Sequence, residues 1–132
     1  MARSFQNAHY RVDVLDEPRV VKLVRSPEEF HSVIEMVGVL DDIFRAVEEV
    51  DGATYGLVVD SRSGPTRDDP DFQNAFKLFR ERLDSRFARV GVLVSSESSV
   101  QLMKELGVPD HVRVYTDEAL AVGWAAEGRE GP

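Results

Sequence analysis

Cysteine is absent from the sequence, basic residues are fewer than acidic ones, and long apolar runs are missing. The lack of cysteine excludes disulfide bonds, thiol catalysis and zinc sites built on thiolates. The 16 Lys and Arg are outnumbered by 24 Asp and Glu, and the resulting net charge of −8 argues against binding to nucleic acids or anionic membranes. No apolar run approaches the roughly 20 residues of a membrane span, and residues 1–11 lack the hydrophobic stretch of a signal peptide. We therefore expect a cytoplasmic protein.

The composition is that of one globular domain. The chain has 132 residues, of which 42% are hydrophobic and 30% charged. A domain of this size buries enough surface to fold without a metal or a disulfide. We expect the domain to cover residues 9–127, with a flexible lead-in over 1–8 and a flexible, Gly-rich and charged tail over 128–132.

The N-terminal part predicts an antiparallel β-hairpin. Tyr10, Val12 and Val14 alternate with polar residues, which is the pattern of a half-buried strand. A turn containing proline follows, and apolar residues then resume. We expect hairpin strands over 9–15 and 19–25.

Three later apolar runs predict buried strands. They cover residues 55–59, 89–94 and 112–115, and such runs are typical of parallel sheets. Each run is followed by apolar residues at helical spacing. The resulting order β-β-α-β-α-β-α-β-α predicts an α/β fold, in which an N-terminal hairpin is followed by β-α steps and helices pack on a mixed, mainly parallel sheet.

The first helix carries a second apolar face. Ser26 is the predicted N-cap, with Pro27 in the first turn. Past Gly38 the apolar stripe is displaced, so either the helix kinks there or its second half has an additional face. The residues of that face are Val39, Ile43 and Val50. They either pack on the domain's own sheet or form a homodimer contact.

The sequence contains no recognisable catalytic or metal-binding pattern. It has no glycine-rich phosphate loop and no G-x-S-x-G elbow. The acidic pair and lysine of a response-regulator receiver are also missing, so Asp60 is best interpreted as a cap for the loop after its strand. The histidines lack metal-ligand spacing; they are His9, His31 and His111. We expect no enzymatic activity, no cofactor and no metal.

A basic cluster begins in the helix predicted after residue 69. Five cations lie within residues 77–89 of this acidic chain. Lys77 and Arg80 flank Glu81 and Asp84 at helical spacing, so the cluster is either a salt-bridged, solvated face or part of a binding surface. Leu78 projects off the apolar stripe, where it either forms an exposed partner-binding edge or packs under a loop.

Three stretches carry a family resemblance: YGLVVDSRSGPTRDDPDFQNAF, RVGVLVSSESSVQLMKELGV and VRVYTDEALAVGWAAEG. A buried strand ends in Asp60 and is followed by a polar loop and a helix, and the last strand leads into a helix bearing Trp124. Over residues 53–127 the chain resembles a STAS domain, the module of anti-anti-sigma factors and sulphate-transporter tails. The resemblance is to the bacterial single-domain SEC14/STAS-like branch, which implies a SpoIIAA-like fold.

The resemblance implies a non-catalytic regulatory module that binds a protein partner, such as a kinase or another regulator. Members carry an Asp-Ser-Ser/Thr-Gly segment at a helix entry, whose hydroxyl a partner kinase phosphorylates. The nearest segment here is 60–64, which departs from the pattern because Arg62 separates Ser61 from Ser63 and a longer loop follows. Both serines are phosphorylation candidates. The candidate partner-binding residues are Asp60, Arg62, Arg67, Lys77, Leu78 and Arg80.

A small-molecule or lipid carrier of SEC14-like type is the alternative. The resemblance and the seven phenylalanines suggest it. A carrier needs a cavity, however, and we expect a chain of this length to leave little core volume for one. Seven phenylalanines are also about what a packed core of this size uses. Binding of a protein partner is therefore the preferred prediction.

Overall fold

A six-stranded sheet organises the chain. The computed structural model describes residues 3–65 and 69–128. In chain order its elements are β1 (Arg3–Gln6), β2 (Tyr10–Asp16), β3 (Arg19–Arg25), α1 (Val33–Val47), β4 (Gly56–Asp60), α2 (Pro70–Asp84), β5 (Val90–Leu93), α3 (Glu97–Leu106), β6 (Val112–Tyr115) and α4 (Glu118–Glu127). None of the described helices is long and apolar enough to cross a membrane.

The strands lie side by side in chain order. β1, β2 and β3 are antiparallel, and β3 to β6 are parallel. All five residues of β4 are buried, as expected for a central strand covered on both faces. The predicted α/β fold with a hairpin and a mixed, mainly parallel sheet is confirmed.

Helices cover both faces of the sheet. Residues of α1, α2 and α3, including Met36, Phe79 and Val100, join the larger apolar cluster on one face. On the other face, Val58 packs with Ala121 and other residues of α4. Consecutive side chains of a strand point to opposite faces. Each strand end therefore presents one residue to the larger cluster and its neighbour to α4.

The prediction of a loose lead-in is wrong for residues 3–6. They form β1, which pairs with β2 from Arg3 opposite Val14 to Gln6 opposite Arg11. The outer edge of β2 has backbone groups that need partners, and β1 supplies them. Of the predicted tail, Gly128 caps α4 with a φ of 70°, and residues 129–132 lie outside the described part of the chain.

The predicted start of the first helix is also wrong. Ser26 does not cap it, because its amide donates to the carbonyl of His9 at 2.8 Å and its hydroxyl to that of Ala8 at 2.6 Å. The cap is Ser32, whose hydroxyl accepts the Glu35 amide at 3.0 Å. The helix then continues without a break through Gly38.

The proposed dimer seam is not an exposed surface. Ile43 is fully buried and Val50 is 6% exposed, and both belong to the larger apolar cluster. Val39 is half-buried and packs against the same cluster. Of the two alternatives for this face, packing on the domain's own sheet is the one that the structure shows.

Candidate functional site

An apolar pocket of about 270 Å³ lies at the carboxyl ends of β3 and β4. Its aromatic walls come from the segment before α1 and from α2, and consist of Phe30, Phe72 and Phe76. Met36 and Val59 close it toward the core. The loop after β4 contributes the remaining wall. We call this cavity the β3–β4 pocket.

The polar end of the β3–β4 pocket is formed by Arg25 and Tyr10. Arg25 is only 9% exposed, and its Nη1 donates to the carbonyls of Ser26 at 2.6 Å and His9 at 3.3 Å. The guanidinium carbon lies 4.7 Å from the centre of the Phe30 ring and 5.3 Å from that of Tyr10. Burial lowers the pKa of Arg25 and raises the pKa of Tyr10. A cation and a phenol therefore lie side by side at this end of the pocket, and both are largely buried.

A charged cluster occupies the opposite face of the same strand end. Arg62 donates to the Asp60 carboxylate from its backbone amide at 3.1 Å and from its side chain at 2.9 and 2.7 Å. Glu118 at the start of α4 contacts both Arg62, at 3.4 Å, and Lys22, at 3.2 Å. The hydrogen bonds from Arg62 lower the pKa of Asp60. Asp60 and Arg62, predicted to bind a partner, are thus already paired with each other.

The two candidate phosphorylation sites differ in accessibility. The Ser61 hydroxyl donates to the carbonyl of Leu93 at 2.8 Å, and the residue is half-buried beside the pocket. Ser63 is exposed. Arg67, the candidate partner-binding residue later in this loop, lies outside the described residues. Ser63 is consequently the hydroxyl that an enzyme can reach.

The predicted partner-binding residues of α2 differ in their exposure. Lys77 is exposed with its nitrogen 4.0 Å from Glu81, and Leu78 is 67% exposed. Arg80 is largely covered, 3.7 Å from the Asp84 carboxylate, where burial raises the pKa of Asp84. The spacing of these charges along α2 fits the salt-bridged interpretation, and Leu78 is an outward-facing residue.

Sequence reasoning missed Tyr10, Arg25 and Phe30 as site residues. One signal was available, because Val21, Leu23 and Arg25 occupy alternate positions of β3 and all three are buried. An arginine at the inward position of an alternating strand is unusual. Within residues 3–65 and 69–128, no group of three or more histidines and acids is placed to hold a metal ion.

The sheet order and the helices on both faces define the class: an α/β domain of SpoIIAA-like fold, here with an apolar pocket at the carboxyl ends of β3 and β4. Among solved structures, the chain is similar to an uncharacterized protein of the DUF3478 family from Shewanella loihica, which is described as having a SpoIIAA-like fold. The TM-score is 0.57 at 10% identity, covering 95% of this chain and 92% of that one. No protein-family model and no curated protein matches the sequence. The fold implied by the STAS resemblance is confirmed.

Proposed function

We propose that this chain is a non-catalytic module that binds a small apolar molecule in the β3–β4 pocket. The observation that carries the proposal is the pocket itself, whose volume of about 270 Å³ is near the lower limit of about 300 Å³ for ligand sites. We expected the core to leave little room for a cavity, and the β3–β4 pocket supports the carrier alternative because it supplies a small apolar space at the ends of the strands.

The pocket lining supports binding over catalysis. Its described lining contains no histidine, aspartate or glutamate that could act as a general base. Apart from Tyr10, the one hydroxyl nucleophile candidate among the described lining residues is Ser61, which is hydrogen-bonded to a backbone carbonyl and not to a base. The residues instead supply an apolar surface with one cation at its end, which is an arrangement that orients a ligand.

The test is titration with a panel of apolar compounds, followed by amide chemical shifts. We expect shifts that concentrate at the residues around the β3–β4 pocket. Met36→Trp should fill the cavity and abolish binding, because Met36 is 2% exposed and lines it. The matched control is Val37→Trp at the next position of α1, where the side chain is 45% exposed. Shifts scattered over the surface, or equal binding by both variants, would contradict the proposal.

Binding of a protein partner through the 61–69 loop and α2 is the second candidate function. Exposure of Ser63 and Leu78 favours it, since both residues are available to a partner such as a kinase or another regulator. Phosphorylation of Ser63 would add about −1.5 to −2 charge near pH 7 to this surface. That charge would repel an acidic partner without a change of fold.

We predict that phosphate mapping finds Ser63 modified and Ser61 unmodified. The two serines should also differ in their effect on stability. Ser61→Glu loses the hydrogen bond to the Leu93 carbonyl and should lower the free energy of unfolding by about 1–3 kcal/mol. Ser63→Glu should change it by less than about 0.5 kcal/mol. Urea denaturation of both variants measures the difference. Phosphate on Ser61, or equal destabilisation by the two substitutions, would show that the loop is arranged differently in solution.

A further inference from the structure

Arg25 places a buried positive charge at the end of a pocket that is otherwise mainly apolar. Its two hydrogen bonds to backbone carbonyls both use Nη1. The side chain of Tyr10 also hydrogen-bonds the guanidinium. A guanidinium has five N–H donors in a planar fork, so donors still remain for another acceptor. The rings of Tyr10 and Phe30 lie against the guanidinium and restrict the direction from which that acceptor can come.

The charge of Arg25 is not balanced by a neighbouring carboxylate. In the part of the chain that the structure describes, Arg25 forms no ion pair. Glu28 acts on it only from a distance, and Glu28 is itself exposed. A buried cation without a counter-ion is unfavourable, and an anion that enters the pocket would remove that penalty.

We infer that the β3–β4 pocket binds an apolar monocarboxylate whose carboxylate group is held by Arg25; this inference rests on the proposed function. The guanidinium fork matches the two oxygens of a carboxylate. Arg25 is the one cation among the described lining residues. The charge of Arg80 also acts on Tyr10, but Arg80 is paired with Asp84 at 3.7 Å. One unpaired cation suits a single negative charge better than a phosphate dianion.

The pocket also limits the size of the acid. At about 30 Å³ for each water molecule, the cavity corresponds to a compound of roughly ten non-hydrogen atoms. Three phenylalanines form the walls, so both an aryl group and a short alkyl chain fit the lining. Aryl-substituted and medium-chain acids share this chemistry, and the experiment separates them.

The experiment is calorimetric titration of the intact chain with octanoate and 3-phenylpropanoate and with their neutral amides. Because hydrogen bonds to a charged group are stronger than neutral ones, we expect each acid to bind about 10- to 100-fold more tightly than its amide. The ratio of the dissociation constants of octanoate and 3-phenylpropanoate shows whether the pocket prefers the alkyl or the aryl acid.

Two variants test whether Arg25 causes the tighter binding of each acid relative to its amide. Arg25→Met keeps the aliphatic stem and removes the charge, and should make acid and amide bind equally. Gly64→Ala keeps the charge but places a Cβ 2.8 Å from Cγ of Arg25, so it should displace the side chain and reduce the preference. The control is Arg45→Met, which removes a cation from the exposed surface of α1 and should leave the preference unchanged.

The outcomes distinguish this inference from the proposed function. Equal binding of acids and amides by the unmodified chain overturns the carboxylate assignment and leaves small-molecule binding intact. Tighter binding of octyl phosphate than of octanoate overturns the choice of a monocarboxylate. Absence of binding by every compound, neutral ones included, overturns both proposals. If Arg25→Met does not fold, the comparison of acid with amide and the Gly64→Ala variant still decide the question.

Discussion

Gly56→Val is expected to prevent stable folding. Gly56 begins β4 where α4 crosses it, and a Cβ at this position would lie 1.9 Å from the carbonyl oxygen of Ala125. Because that oxygen belongs to the backbone, the clash cannot be relieved by a side-chain rotation, and α4 would have to move away from the sheet. Overpacking of a core costs about 1–3 kcal/mol even when side chains can shift, and we expect more than this where they cannot.

The control for Gly56 is Gly38→Ala in α1, where an added Cβ meets nothing within 4 Å. Alanine favours a helix over glycine by about 0.8–1.0 kcal/mol, so this variant should gain stability. Urea denaturation followed by circular dichroism measures both. A cooperatively folded Gly56→Val variant of unchanged stability would mean that α4 does not pack as closely as described.

Ile43→Ala should destabilise the domain by about 2–5 kcal/mol, the range for large-to-small substitutions in a core. Ile43 is fully buried among the residues of the larger apolar cluster. The sequence alone allowed it to lie in a homodimer seam. Substitution of a residue in a dimer seam would change the association of the chain, whereas substitution of a core residue changes the free energy of unfolding.

The matched control is Ile34→Ala on the same helix, since Ile34 is 86% exposed. We expect Ile34→Ala to change the free energy of unfolding by less than about 0.5 kcal/mol. Denaturation gives the two free energies, and sedimentation of the folded variants gives their association states. If Ile43→Ala keeps its stability but alters sedimentation, the residue lies in an interface and its placement in the core is wrong.

The β3–β4 pocket links the two candidate functions. Ser61, Gly64 and Pro65 line the pocket, and the same loop presents Ser63 to solvent. A ligand in the pocket would therefore contact the inner side of a segment whose outer side is available to a protein. The ligand titration and the phosphate mapping can be interpreted separately. The titration measures amide chemical shifts around the pocket, whereas the mapping identifies which serine carries a phosphate.

Local patterns were sufficient for β2 to β6 and for the order of the helices. Alternation at Tyr10, Val12 and Val14 specifies one buried face of a strand, and uninterrupted apolar runs such as 55–59 specify burial on both faces. Such patterns depend only on residues that are close together in the sequence. For this reason the hairpin, the β-α steps and the mixed sheet could be predicted without coordinates.

The helix start and the edge strand could not be predicted in the same way. Ser26 and Ser32 are each followed three residues later by a glutamate, and Ser26 has in addition a proline at the next position, so the local signals favour the wrong serine. The choice is made by backbone carbonyls of residues 8 and 9, which bind Ser26 across the hairpin. β1 likewise forms because an edge of β2 is available to it.

The sequence by itself determined the secondary-structure order, the fold class and the absence of thiol chemistry, because these follow from residue types and short-range periodicity. Only the tertiary structure decided that Ile43 lies in the core, that Asp60 pairs with Arg62, and that a pocket exists at all. The pocket brings Arg25 together with Phe72, residues 47 positions apart, because two parallel strands end at the same sheet edge. Proximity of this kind depends on strand order and helix placement, which no local pattern encodes.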